Sequence, residues 1–230
     1  MKLYICENTK TAKWRKNITD DRKLSLIFAK KCICDFLGEK ENGIEITISK
    51  NEYGKPYVQD IYKTIKTEKI KIDISIFFSL SHSENMMICA VACFNIGADC
   101  QKRNIEDIER CKKIAKRYYS EHENIFLDSV LLADDEEDND TEIKEQEYIN
   151  NFFRIWTKKE AYIKYTGKGL AEGMSTFSVT TKTRQKNYCC EVYFKRISLI
   201  NIKKAKKGKY YIYLCYNKSN KNICRIKYFN

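Results

Sequence analysis

The stretch Phe152-Phe153-Arg154-Ile155-Trp156-Thr157-Lys158-Lys159-Glu160-Ala161-Tyr162-Ile163-Lys164, continued by Tyr165-Thr166-Gly167-Lys168-Gly169-Leu170, decides how this chain is read. Residues four apart share one face of a helix, so a helix here lines up Trp156, Glu160 and Lys164: an aromatic plate, a carboxylate and an ammonium on one stripe. That stripe suits chemistry on a phosphate. The carboxylate can hold a hard cation or take a proton, and the lysine one turn on can neutralise charge developing on a phosphoryl oxygen. In a helix standing alone, a solvated salt pair would be the more ordinary reading. The spacing predicts a helix from about Ile149 to Thr166, closed by Gly167 and Gly169.

On the C-terminal side the pattern turns to strands, with Tyr188 to Ile197, Gly208 to Tyr216 and Ile223 to Phe229 rich in aromatic and branched residues. From Lys182 to Asn230 there are fourteen Lys or Arg against one acid, Glu191, a local charge of +13 in a chain whose net charge is +12. Lysines interleaved with tyrosines open an alternative function, nucleic-acid binding, because lysine neutralises phosphates and aromatic rings stack on bases. The same alternation also fits an antiparallel sheet with one lysine-rich solvent face. On the N-terminal side of the helix, residues 134–147 hold nine acids and one lysine without apolar periodicity and read as an exposed mobile acidic loop.

Further upstream, residues 2–6 alternate as an edge strand. A helix from Asp21 to Leu37 starts at the Asp20-Asp21 pair and stops at Gly38. Gly43 to Ser49 reads as a strand, Tyr53 to Pro56 as a turn, and Ile74–Ser81 with Met86–Phe94 as two strands around a tight connection. A second helical stretch runs from Ile105 to Tyr119. With 230 residues, 43% of them hydrophobic, the chain can bury a sizeable core. The first residues soon turn polar, so a signal peptide or membrane span is not expected, and a cytoplasmic location is. Eleven cysteines without a Cys-x-x-Cys pair read as reduced and mostly buried, and two histidines are too few for a histidine-rich metal site.

Three further blocks precede the helix in order: Tyr53-Gly54-Lys55-Pro56, Phe78-Ser79-Leu80-Ser81-His82-Ser83 and Ile96-Gly97-Ala98-Asp99-Cys100-Gln101. Together with Trp156-x-x-Lys159-Glu160-Ala161-x-x-Lys164, this series resembles the 4'-phosphopantetheinyl transferases of the surfactin-synthetase-activating (Sfp) type, over roughly Arg22 to Ser178. The resemblance implies an α+β fold of two similar halves related by a pseudo-twofold, here residues 1–97 and 98–230, with the active site at their interface. It implies transfer of the phosphopantetheine arm of coenzyme A to a serine of an acidic acyl or peptidyl carrier protein, with Mg2+ as cofactor and the enzyme a monomer.

By the same resemblance, Asp99, Gln101 and Glu160 occupy the metal positions, with Glu160 also placed to accept the serine proton. Lys164 stabilises the departing bisphosphate, and Lys159 meets phosphate or carrier. Ser81 and His82 fall where the coenzyme A phosphates bind, Tyr53, Gly54, Lys55 and Pro56 along the adenine pocket, and Arg22 near the 3'-phosphate, with Lys13, Arg15 and Lys16 as further cations. Trp156 is equally a packing residue, and Glu123 matches an acidic position after the second helix. The family usually has Glu where this chain has Gln101, a weaker ligand for a hard cation, so a lower magnesium affinity is expected.

Overall fold

Asp20 and Gly38 bound the first helix. The computed structural model describes residues 1–7, 9, 20–132, 140–180, 192–198, 210–220 and 224–229. In it the Asp20 carboxylate caps the amides of Arg22 and Lys23, and Gly38 ends helix α1 (Asp21–Leu37) at φ 74°, where a residue without Cβ fits best. Leu24, Phe28, Cys32 and Ile33 on this helix are buried.

Helix α1 covers a sheet ordered β10-β1-β6-β5, made of β1 (Lys2–Cys6), β5 (Phe77–Ser83), β6 (Met86–Ala92) and β10 (Arg225–Phe229). A second sheet, ordered β7-β9-β8, is built from β7 (Ile96–Lys102), β8 (Val192–Arg196) and β9 (Tyr210–Asn217). It is covered by α2 (Ile108–Tyr118), α3 (Glu121–Leu132) and the long α4 (Asp140–Thr166). The two sheets lie back to back, with Leu3, Ile5, Ile88 and Ala90 of the first against Ile96, Ala98, Ile212 and Leu214 of the second. The result is α+β, helix on sheet on sheet on helix. A small sheet of β2 (Ile44–Lys50), β3 (Pro56–Ile65) and β4 (Glu68–Lys71) flanks the first half.

Where the sheets meet, serine replaces backbone pairing. The hydroxyls of Ser79, Ser81 and Ser83 on β5 accept from the amides of Ala98, Cys100 and Lys102 on β7, at 2.9, 3.2 and 2.9 Å. Alternate residues of a strand face one side, so a Ser-x-Ser-x-Ser strand can satisfy alternate amides of a neighbour.

Several expectations need correction. Strand β1 is central rather than an edge, because β10 from the far end of the chain pairs parallel to it; β10 thus joins the sheet of the first half. Residues 140–147 of the acidic segment are the first two turns of α4 instead of a loop; acids near a helix N-terminus are favoured by its positive end, and no periodicity marks turns that stand in water. Residues 134–139 lie outside the described residues, as do Lys13, Arg15, Lys16 and much of the basic tail. Helix α3 was not expected, although Ser120-x-x-Glu123 is its capping box: the Ser120 amide donates to Glu123 Oε2 at 2.9 Å. The nine described cysteines are free thiols, seven of them buried, as small apolar residues would be. Among the described residues no helix is long and apolar enough to cross a membrane.

Candidate active site

A Cβ on Gly97 would lie 1.9 Å from the Ala161 carbonyl oxygen and 2.5 Å from the Tyr165 amide nitrogen. Helix α4 therefore rests its backbone directly on β7, a contact that only glycine permits. Two residues further along β7 the next side chain on that face belongs to Asp99, in the middle of the strand. Glu160 and Lys164 immediately precede Ala161 and Tyr165 on α4, so this one close contact brings carboxylates and ammonium together.

Asp99 is 1% exposed. Its Oδ1 meets the Lys164 ammonium at 2.7 Å and accepts from the Ser81 hydroxyl at 2.6 Å, while Oδ2 accepts from Gln101 Nε2 at 3.1 Å. Glu160 is partly buried; burial and then the charge of Asp99 push its carboxyl above the ordinary value, with Lys164 acting against them. Burial opposes the Lys164 ammonium, yet Asp99, and after it Glu160, hold its pKa above the ordinary lysine value. The site thus contains a charged lysine and a carboxyl biased toward holding a proton.

Two carboxylates whose charges oppose one another, with an amide oxygen available if Gln101 turns, form a hard oxygen donor set of the kind magnesium takes. Among the described residues no three His, Cys, Asp or Glu side chains converge.

The turn at Tyr53–Pro56 is clipped to the end of α4. Asn51 Oδ1 accepts from the amides of Tyr53 and Lys55, Gly54 takes φ 84°, and Asn51 Nδ2 donates to the Gly167 carbonyl at 3.0 Å. Lys55 Nζ donates to Tyr165 O and to Asn95 Oδ1, each at 3.2 Å, and burial pushes its pKa down to about 8. Between this turn, Phe78–Leu80 of β5 and the end of α4 lies a cavity of about 270 Å³ that reaches Lys164.

The other expected residues fall in different places. Ser81 is buried, and its hydroxyl serves Asp99 and the Cys100 amide, which makes it a support for the acid instead of a free phosphate donor. His82 and Arg22 are exposed, His82 on β5 and Arg22 in the first turn of α1. Lys159, expected at phosphate or carrier, is fully buried: it pairs with Glu123 at 2.7 Å and donates to the carbonyls of Met174 and Phe177, each at 2.6 Å. Successive residues are turned by about 100° round a helix, so Lys159 can lie inside while Glu160 is turned toward β7. Glu123, equally buried, accepts from the amides of Ser120 and Val179 as well. Trp156 packs against Tyr118 and Phe152. Gly97, Asn51 and Asn95 were missed; the only signal was a glycine in an otherwise apolar strand and an asparagine opening a turn.

Similarity to known proteins agrees with this geometry. A family model described as the 4'-phosphopantetheinyl transferase superfamily matches residues 95–215. The chain is 31% identical over 140 residues to 4'-phosphopantetheinyl transferase gsp of Aneurinibacillus migulanus, covering 61% of this chain and 46% of that protein. It is 33% identical over 135 residues to 4'-phosphopantetheinyl transferase Sfp of Bacillus subtilis strain 168, covering 59% and 47%. With 4'-phosphopantetheinyl transferase HetI of Nostoc sp. it shares 33% over 121 residues, 52% and 40%. The matches span about half the length of these curated relatives. Residues 95–215 run from the strand that carries Asp99 through α4 to β9, and on that match the chain belongs to the 4'-phosphopantetheinyl transferase superfamily.

Proposed function

We propose that this chain moves the phosphopantetheine arm of coenzyme A onto a serine hydroxyl of an apo carrier protein and releases 3',5'-adenosine bisphosphate. The observation that carries this reading is the meeting of Asp99, Glu160 and Lys164 beside a cavity bounded by the Tyr53–Pro56 turn. Glu160, with its pKa raised, is suited to take the serine proton as the oxygen attacks phosphorus. Lys164 stays protonated because Asp99 holds it, so its charge faces the oxygen that leaves. Asp99 and Glu160 would hold a magnesium ion, which supplies charge neutralisation on the diphosphate. Gln101 in place of an acid lowers the affinity of that site. The adenosine end would occupy the cavity at Tyr53, Gly54 and Pro56, with His82 and Arg22 free at the surface to meet phosphates.

We further assign the protein to the cytoplasm as a monomer, and an acidic carrier as the partner that its basic surface attracts. The nucleic-acid reading loses ground because Tyr211, Tyr213 and Tyr216 are at most 5% exposed and cannot offer rings for stacking, which leaves Tyr193 and Tyr228 as the exposed rings of the described C-terminal strands. The test is to incubate candidate apo-carriers with coenzyme A, magnesium and the full chain, then weigh them by mass spectrometry. A gain of one phosphopantetheine group on the carrier supports the reading; no gain on acyl, polyketide or peptidyl carriers overturns it.

A further inference from the structure

Asp99, Tyr213 and Arg196 are register partners across β7, β9 and β8, so their side chains rise from one face of the sheet in a single row. With strands about 4.8 Å apart, the backbone of Arg196 stands roughly 10 Å from that of Asp99. Helix α4 crosses above this row. Lys158 Nζ sits 5.5 Å from the centre of the Tyr213 ring, and Arg154 lies one helical turn before it. The charges of Arg196 and Arg154 both act on the Tyr213 phenol.

Among the described residues none of Arg154, Lys158 and Arg196 belongs to an ion pair. Arg154 gives an Nη1 proton to Asn151 Oδ1 at 2.8 Å, but its Nε is buried without a hydrogen-bond partner. The acid whose charge acts on Lys158 is Glu123, and its oxygens are already bonded to Lys159, Ser120 N and Val179 N. A buried donor left unmade and several like charges around one phenol are both unfavourable. One oxyanion relieves both, since a guanidinium fork, an ammonium and a hydroxyl are donors matched to carboxylate or phosphate oxygens.

We propose that Arg154, Lys158, Arg196 and the Tyr213 hydroxyl form a second anion site that takes a carboxylate or phosphate group, separate from the diphosphate handled at Asp99. It lies on the flank of the catalytic row, outside the cavity that reaches Lys164. Free phosphate and the acidic side chain of a docking carrier present the same oxygens to it.

The full chain with 15N-labelled arginine provides the test. The Nε–Hε resonance of Arg154, assigned by its loss in Arg154→Gln, is followed without coenzyme A at constant ionic strength. One titration uses inorganic phosphate and the other an acidic apo-carrier domain. The expected result is a saturable shift whose half-saturation rises about tenfold in Arg196→Gln, since one of the charge-assisted contacts is gone. A shift with phosphate makes the free ion a ligand, and a shift with the carrier alone makes a protein carboxylate the ligand. No shift with either, or a shift that Arg196→Gln leaves unaltered, overturns the site. Because no transfer is measured, failure of the transferase reading leaves this result standing, and the reverse holds too.

Discussion

Lys159 and Lys164 stand five positions apart on α4 and meet opposite surroundings. Lys159 has a carboxylate and two carbonyls around it at zero exposure, whereas Lys164 reaches one acid and keeps 29% of its side chain in water. Removing one member of a fully buried pair leaves the other charge uncompensated, so Lys159→Met should lower stability by about 3–5 kcal/mol. Lys164→Met should cost less, yet, on the role proposed for it at the leaving phosphate, depress kcat strongly. Urea unfolding with steady-state kinetics on both variants checks this; a Lys159→Met protein of normal stability but raised KM for coenzyme A would return Lys159 to the ligand site. Glu160 carries a pH signature. Its carboxyl titrates above the ordinary 4.5, so the folded chain holds that proton more tightly than the unfolded chain. The stability this contributes is complete below the ordinary value and fades as pH rises through the raised one. Metal-free Glu160→Gln should therefore match the parent in acid and be more stable at neutral pH, while its kcat falls about a hundredfold or more. Thermal melts across pH in a chelator test the first part, and equal stability curves would contradict it.

At the scale of elements, the contact between α4 and β7 sets the site. Gly97→Ala puts a methyl carbon 1.9 Å from a helix carbonyl oxygen, and that oxygen is backbone, so the helix itself has to lift. Overpacking of this kind costs roughly 1–3 kcal/mol. The larger effect should fall on activity, because displacing α4 moves Glu160 and Lys164 away from Asp99, and an ångström of misplacement can cost about a hundredfold. The expected outcome is a folded Gly97→Ala protein with a small fall in melting temperature and a large fall in kcat. A variant with normal kcat would show that the helix is not positioned by this contact.

The whole molecule depends on how its two sheets are joined. Their apolar backs form one core, and at the open edge the serines of β5 supply what a strand ladder would otherwise provide. Ser83→Ala should cost about 1 kcal/mol, the usual worth of one such bond. Ser81→Ala should cost more, because it also strips a donor at 2.6 Å from buried Asp99, and should lower kcat where Ser83→Ala does not. Chemical denaturation and kinetics of both variants decide the matter; equal effects would mean that Ser81 only stitches sheets together.

The sequence by itself determined the elements with local signals and the alignment of Glu160 with Lys164 on one helix face. The bounds of α1 were legible in Asp20 and Gly38, and Glu160 with Lys164 could be read from a four-residue period, since capping and helical spacing act within a few residues. Residues 140–147 misled because solvated helical turns carry no apolar period. Only the tertiary structure decided that β1 is central, since its cover arrives from over two hundred residues away. It alone showed that Lys159 is internal while Glu160 faces the site. Burial is a property of what packs against a helix from elsewhere in the chain, and neither periodicity nor a motif encodes which neighbour arrives there.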